Sequence, residues 1–173
     1  MSHNISNKIS KLTILCLFLL SSCTTTMIDR TAKYDKNKVL SNISAIDSSF
    51  SELESLLYVD IKNQNMYLLR KGNILKYFKI SSSYYGTGSE VNSLKTPLGK
   101  HEIYKKIGRD LPINAILKGR VWNGAIANVI TEDVDTDFDH VTSRILWLDG
   151  LEKGKNKGPG VDSRSRYIYI HGT

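Results

Sequence analysis

The sequence predicts a mainly β domain, and three observations carry that expectation. The last eight residues, Arg166-Tyr167-Ile168-Tyr169-Ile170-His171-Gly172-Thr173, alternate Tyr and Ile, which have high strand propensity. That run is apolar on both faces, which suits a buried strand. Lys71-Gly72-Asn73 separates two strand-like runs, and Gly and Asn adopt positive φ readily, a hairpin signal. Helical periodicity is confined to one stretch, residues 39–57, and there are no internal repeats. At 173 residues, with 40% hydrophobic and 24% charged, the chain reads as one ordinary domain able to build a core.

Residues 1–22 read as a secretory signal. Lys8 and Lys11 form its positive end, and residues 12–20 form an apolar run too short for a permanent membrane helix. Leu20-Ser21-Ser22-Cys23 resembles the bacterial lipoprotein box, in which the Cys is lipidated and becomes the mature N-terminus. On that reading Cys16 leaves with the signal and Cys23 is the lipidation site, tethering the chain to the membrane. Thr24 in place of Asp after the Cys favours outer-membrane sorting, on the periplasmic side of the envelope. The formal charge is +7; removing Lys8 and Lys11, with no acid in that segment, leaves +5. No basic run interleaves with aromatics, so no nucleic-acid partner is expected.

Residues 24–37 are polar and aperiodic, as a tether would be. Leu40, Ile43, Ile46, Phe50, Leu53 and Leu57 approximate a helical face, and Ser51-Glu52-Leu53-Glu54 offers a capping box, so one or two short helices are expected within residues 23–54. From residue 55 the β domain begins. Residues 58–61, 66–70 and 74–80 form a three-stranded meander, with a tight turn at Asn63-Gln64-Asn65. Residues 81–90 are a Ser-rich loop; Gly86-Thr87-Gly88 lacks the rest of a phosphate-loop pattern. Thr96-Pro97-Leu98-Gly99 reads as a turn with Pro at its second position. Residues 101–107 read as a strand, and residues 111–129 carry no clear pattern. Residues 145–148 read as a buried strand, and residues 152–160 as a Lys/Gly loop.

Glu132, Asp133, Asp135, Asp137 and Asp139 form an acidic run. As a calcium loop it would place Phe138 where Gly is needed and Arg144 where Glu is needed, so a solvated loop is expected and no metal. No disulfide, zinc site or cofactor motif is present, since the two cysteines both lie near the N-terminus. One residue stands out. His171 closes the final strand, where it can be held rigidly and still meet solvent, as a general base would be. His101 and His140 carry no such signal.

Four blocks in order resemble the L,D-transpeptidase (YkuD-type) catalytic domain: residues 60–69; Lys95-Thr96-Pro97-Leu98-Gly99-Lys100-His101-Glu102-Ile103; Ser143-Arg144-Ile145-Leu146-Trp147-Leu148; and Tyr167-Ile168-Tyr169-Ile170-His171-Gly172-Thr173. The resemblance covers about residues 55–173. It implies a β-sandwich-like domain with short helices. It also implies cysteine acyl transfer from peptidoglycan stem tetrapeptides to an amine acceptor, on another stem or an envelope protein. It makes His171 the base and Gly172 the residue whose backbone orients it. The family's nucleophile lies a little over a dozen residues beyond that His, in a Ser-His-Gly-Cys segment that these residues do not include. Residues 24–173 contain no cysteine. The expectation is therefore a domain truncated before its nucleophile, inactive as written, with Ile168 and Ile170 less well buried than the fold intends. A hydrolase of protein–peptidoglycan links and a non-catalytic peptidoglycan-binding lipoprotein or remnant are the alternatives.

Overall fold

The computed structural model describes residues 34–131 and 139–173. The signal segment with Cys16 and Cys23, and all of the acidic run except Asp139, lie outside the described residues. The chain divides into two compact units, residues 1–42 and 43–173, and the division falls within helix α1 (Lys36–Ile46). Asp35 opens α1: its carboxylate accepts the Lys38 N–H at 3.0 Å, satisfying one of the free amides of a helix start. Val39 and Ile43, one turn apart, are its buried residues, while Ile46 is exposed.

The expected capping box does not form. Phe50–Glu52 make a single 3-10 turn, and Leu53 already has extended φ/ψ. Glu54 instead meets the Arg70 guanidinium at 2.7 Å. The side chain that would have closed the box is drawn across to a strand, and the helix pattern gives out with it. Helix α1 starts at Lys36 and so takes in the last residues of the stretch 24–37 that reads as aperiodic.

The remainder is mainly β, as the sequence predicts, in two antiparallel sheets. The first is the meander β1 (Leu56–Asp60), β2 (Asn65–Arg70) and β3 (Asn73–Lys79), in the order β1-β2-β3. Lys71 and Gly72 have φ of 45° and 73° and pair Arg70 with Asn73, the two-residue hairpin that the Gly-Asn signal anticipates. Tyr58, Tyr67 and Tyr77 lie opposite one another across the three strands, with ring centroids 6.0 and 6.3 Å apart. Tyr67 and Leu69 on the central strand are fully buried on that face.

The second sheet comprises β4 (His101–Ile107), β5 (Ala115–Lys118), β6 (Val121–Ile126), β7 (Thr142–Gly150) and β8 (Tyr169–Gly172). Its order is β4-β7-β5-β6, with β8 paired to β7. Residues 111–129, unreadable from sequence, hold the β5–β6 hairpin. The Thr96–Gly99 stretch is not a hydrogen-bonded turn. Thr96 bridges to Thr87 and Gly99 bends the chain at φ 99°. β7 is longer than expected and buries Thr142, Ile145 and Asp149.

The final strand differs most from its expectation. Arg166 and Tyr167 lie in a turn, Tyr167 at φ 59°, and the strand proper begins at Tyr169. Among the described residues it pairs only with β7, so Ile168 and Ile170 are half-buried and His171 is exposed.

Candidate active site

β8 runs antiparallel to β7 with Tyr169 opposite Trp147 and His171 opposite Ile145. Side chains two apart on a strand share a face. His171, Tyr169, Trp147 and Ile145 therefore lie on one face of the sheet. The His171 Nδ1 is 2.9 Å from the Gly172 carbonyl oxygen. A carbonyl only accepts, so Nδ1 is the donor, and in the neutral ring the lone pair then lies on Nε2. The ring is thus in the tautomer that can take a proton at Nε2. Gly172 must be glycine where it stands: a Cβ there would lie 2.8 Å from Thr142 Oγ1 and 3.2 Å from its carbonyl oxygen. Thr142 is the residue opposite it on β7. Beyond it, Thr173 Oγ1 donates to Asp139 at 2.6 Å.

Next to His171 lies a cluster that sequence reading missed. Trp147 meets Tyr104 of β4 edge-on at 5.2 Å and Tyr169 edge-on at 5.8 Å. Tyr167 packs against it at 5.6 Å. Arg120, from the β5–β6 turn, sits 4.9 Å from the Trp147 ring and 4.8 Å from Tyr167, and Nη1 donates to the Tyr169 hydroxyl at 3.0 Å. Arg164 lies 4.9 Å over Tyr104. The residues come from three strands and two turns, and no local sequence pattern joins them.

The two other described histidines have different settings. His101 is tied down, with Nδ1 3.0 Å from the Gly99 carbonyl and Nε2 2.9 Å from Ser163 Oγ. Ser163 is fully buried. Burial lowers the His101 pKa, against the Gly99 bond and the fields of Glu152 and Asp149 that raise it. Its role is to join the start of β4 to the loop that leads into β8. Arg166 ties that loop to another, donating to the Lys95 carbonyl at 2.9 Å and Ser93 Oγ at 3.2 Å. His140 is half-buried near the start of β7 and is not brought to His171 by any strand pairing. Among the described residues, no group of three or more His, Cys, Asp or Glu side chains could hold a metal, and no helix is long and apolar enough to cross a membrane.

The antiparallel β domain thus presents a His at the exposed end of a strand, followed by a Gly in close contact with Thr142. The family model of the L,D-transpeptidase catalytic domain (YkuD) matches residues 54–173, and the chain belongs to that family, whose members act on peptidoglycan stem peptides. No curated protein and no solved structure matches the chain.

Proposed function

We propose that the domain serves acyl transfer on peptidoglycan stem peptides, with His171 as general base. In that reaction Nε2 takes the proton of a cysteine thiol. The thiolate attacks the carbonyl of the third stem residue, and the bond to the terminal D-alanine nitrogen breaks. The imidazolium returns its proton to that nitrogen as D-alanine leaves. An amine of a second stem or of an envelope protein then takes the acyl group; water in its place gives hydrolysis. Gly172 supports the base by accepting the Nδ1 hydrogen bond and by letting β8 press against Thr142. The observation that carries this reading is the family match ending on a β8 whose His171 is exposed and holds Nε2 ready to accept.

Residues 24–173 supply the base but no thiol. The proposed state of these residues is a stem-peptide site that forms no acyl-enzyme. Intact-protein mass spectrometry after incubation with a carbapenem tests this. The chain as given should stay unmodified. A chain extended by a Ser-His-Gly-Cys segment should gain one stoichiometric adduct, and His171→Ala in that extended chain should abolish turnover. An adduct on the chain as given would overturn the assignment of His171.

A second reading is a non-catalytic peptidoglycan-binding lipoprotein, which the extended chain's failure to acylate would support. For either reading we propose anchoring through a lipidated Cys23 on the periplasmic side of the outer membrane, motivated by residues 8–23. An unmodified Cys23 in the mass spectrum of the mature protein counts against it.

A further inference from the structure

We propose that Arg120 is the specificity-determining residue of this site, the receptor for the terminal carboxylate of the donor stem peptide. The proposal rests on the reading that the domain binds stem peptides, and deepens it. Arg120 is a cation without an acid. Among the described residues no carboxylate pairs with it, whereas Arg164 and Lys157 both reach Asp149, at 3.7 and 3.1 Å. Its guanidinium is set by the Trp147 and Tyr167 rings and by the Tyr169 and Tyr167 hydroxyls, which orient the planar group without neutralising it. Its five N–H donors meet only phenol hydroxyls among the described residues, Tyr169 at 3.0 Å and Tyr167 beside it, and no charged acceptor. Such a fork matches a carboxylate in two-point geometry.

The placement also fits. Arg120 lines an open cavity of about 400 Å³ with Ile107, Arg109, Asp110, Leu111 and Trp122. Arg109 and Asp110 offset each other in charge, so Arg120 leaves this cavity net positive. Tyr169, which Arg120 contacts, is two residues from His171 on the same face of β8, about 7 Å along the strand. In a bound stem the terminal carboxylate carbon lies about 4 Å from the scissile carbonyl, two bonds beyond the amide nitrogen. A base engaged near that carbonyl thus leaves the carboxylate within a side chain's reach of the Arg120 level. A backbone at φ 70° for Arg120, an uncommon conformation for a long side chain, presents the guanidinium from the turn toward this face.

The test is calorimetric titration of the full 173-residue chain with a synthetic stem tetrapeptide, as free acid and as C-terminal amide. The native chain should bind the free acid about tenfold more tightly than the amide. Arg120→Gln should bind both at the amide's affinity, with an unchanged melting midpoint. Arg120→Lys should recover part of the preference, and it serves as the readout if the Gln variant folds poorly. Equal weakening of both peptides in Arg120→Gln, as a purely structural role would produce, overturns the proposal. So does a preference for the free acid that survives the substitution, or a native chain that binds acid and amide alike; in these cases the stem-peptide reading stands. A native chain that binds neither peptide overturns both.

Discussion

Asn156 shows how much of this molecule rests on single polar side chains. It is fully buried in the Lys/Gly loop, its amide donates to the carbonyls of Leu98 and Lys100, both at 3.0 Å, and its Oδ1 accepts the Glu152 N–H at 2.9 Å. One residue thus joins the Thr-Pro-Leu-Gly stretch to the loop before β8. Asn156→Ala would strand the Leu98 carbonyl and the Glu152 N–H, while Lys100 keeps the Leu151 N–H, and we expect a loss of about 2–4 kcal/mol in urea denaturation. His101 and Asp47 give the fold two acid-sensitive steps. Burial first, against the Gly99 bond, holds His101 below its usual pKa. The fold therefore prefers the neutral ring while the unfolded chain protonates near pH 6.5. That contribution is complete above about pH 6.5 and is lost as pH falls through the lower folded value. Asp47 behaves as a carboxylate. Lys100 Nζ at 2.7 Å, then Ser49, hold its pKa down to about 2. Its contribution is present above about pH 4 and is lost toward pH 2. Melting midpoints measured from pH 8 to pH 2 should show both steps. His101→Gln should flatten the upper one and Asp47→Asn the lower one, each leaving the other in place. None of these roles was legible in the sequence: a lone His, Asp or Asn carries no record of the distant carbonyl, ammonium or hydroxyl that folding brings to it.

At the scale of elements, legibility followed local chemistry. The Lys71-Gly72 hairpin was readable because Gly72 sits where positive φ is needed and clear strands flank it, although Lys71 and not Asn73 takes the other left-handed position. The β5–β6 hairpin uses the same kind of turn, Gly119 at φ 56° and Arg120 at φ 70°, but Arg hides the second position. β6 hid the strand as well, being exposed along its whole length, with no alternation to read. β4 was read to its ends, since its seven residues are bounded by Gly99 and Gly108. The expected short helix formed as α1 over Leu40, Ile43 and Ile46, and the pattern beyond it stopped at a single 3-10 turn, where Glu54 found Arg70, a partner from another element. The two hairpins yield a comparative test. At Gly119 a Cβ meets nothing within 4 Å, so Gly119→Ala should cost about 1 kcal/mol for the left-handed backbone alone. At Gly72 the same Cβ would lie 3.0 Å from Ser51 Cβ and 3.2 Å from its Cα. Gly72→Ala should therefore cost more, about 2 kcal/mol. Equal losses in chemical denaturation would mean that the Ser51 contact is not felt.

For the whole molecule, the site was half legible. His171 and Gly172 stood at the end of a strand that sequence could recognise, because strand propensity and motif occupy adjacent positions. Tyr104, Arg120, Trp147 and Tyr169 could not be grouped, because only antiparallel pairing of β4, β5 and β8 with β7 assembles them. The same pairing leaves one surface uncovered. Val121, Trp122 and Ile126 of β6, with Val129 and Ile130 just after it, are all exposed, and among the described residues β6 pairs only with β5. An apolar strand with an open edge is a site for association between copies, and net charge of +7 opposes that only weakly at physiological salt. The chain should therefore self-associate at micromolar to millimolar concentration, increasingly so as salt rises. Val121→Lys with Ile126→Lys should suppress this by placing charge on the edge. Both side chains already face solvent, so the pair should leave the melting midpoint unchanged. Sedimentation velocity on the native and double-Lys chains, at low and high salt, reads the association directly. A native chain that stays monomeric throughout, or a double variant that melts several degrees lower, would mean that β6 is covered by packing that its exposure does not reveal.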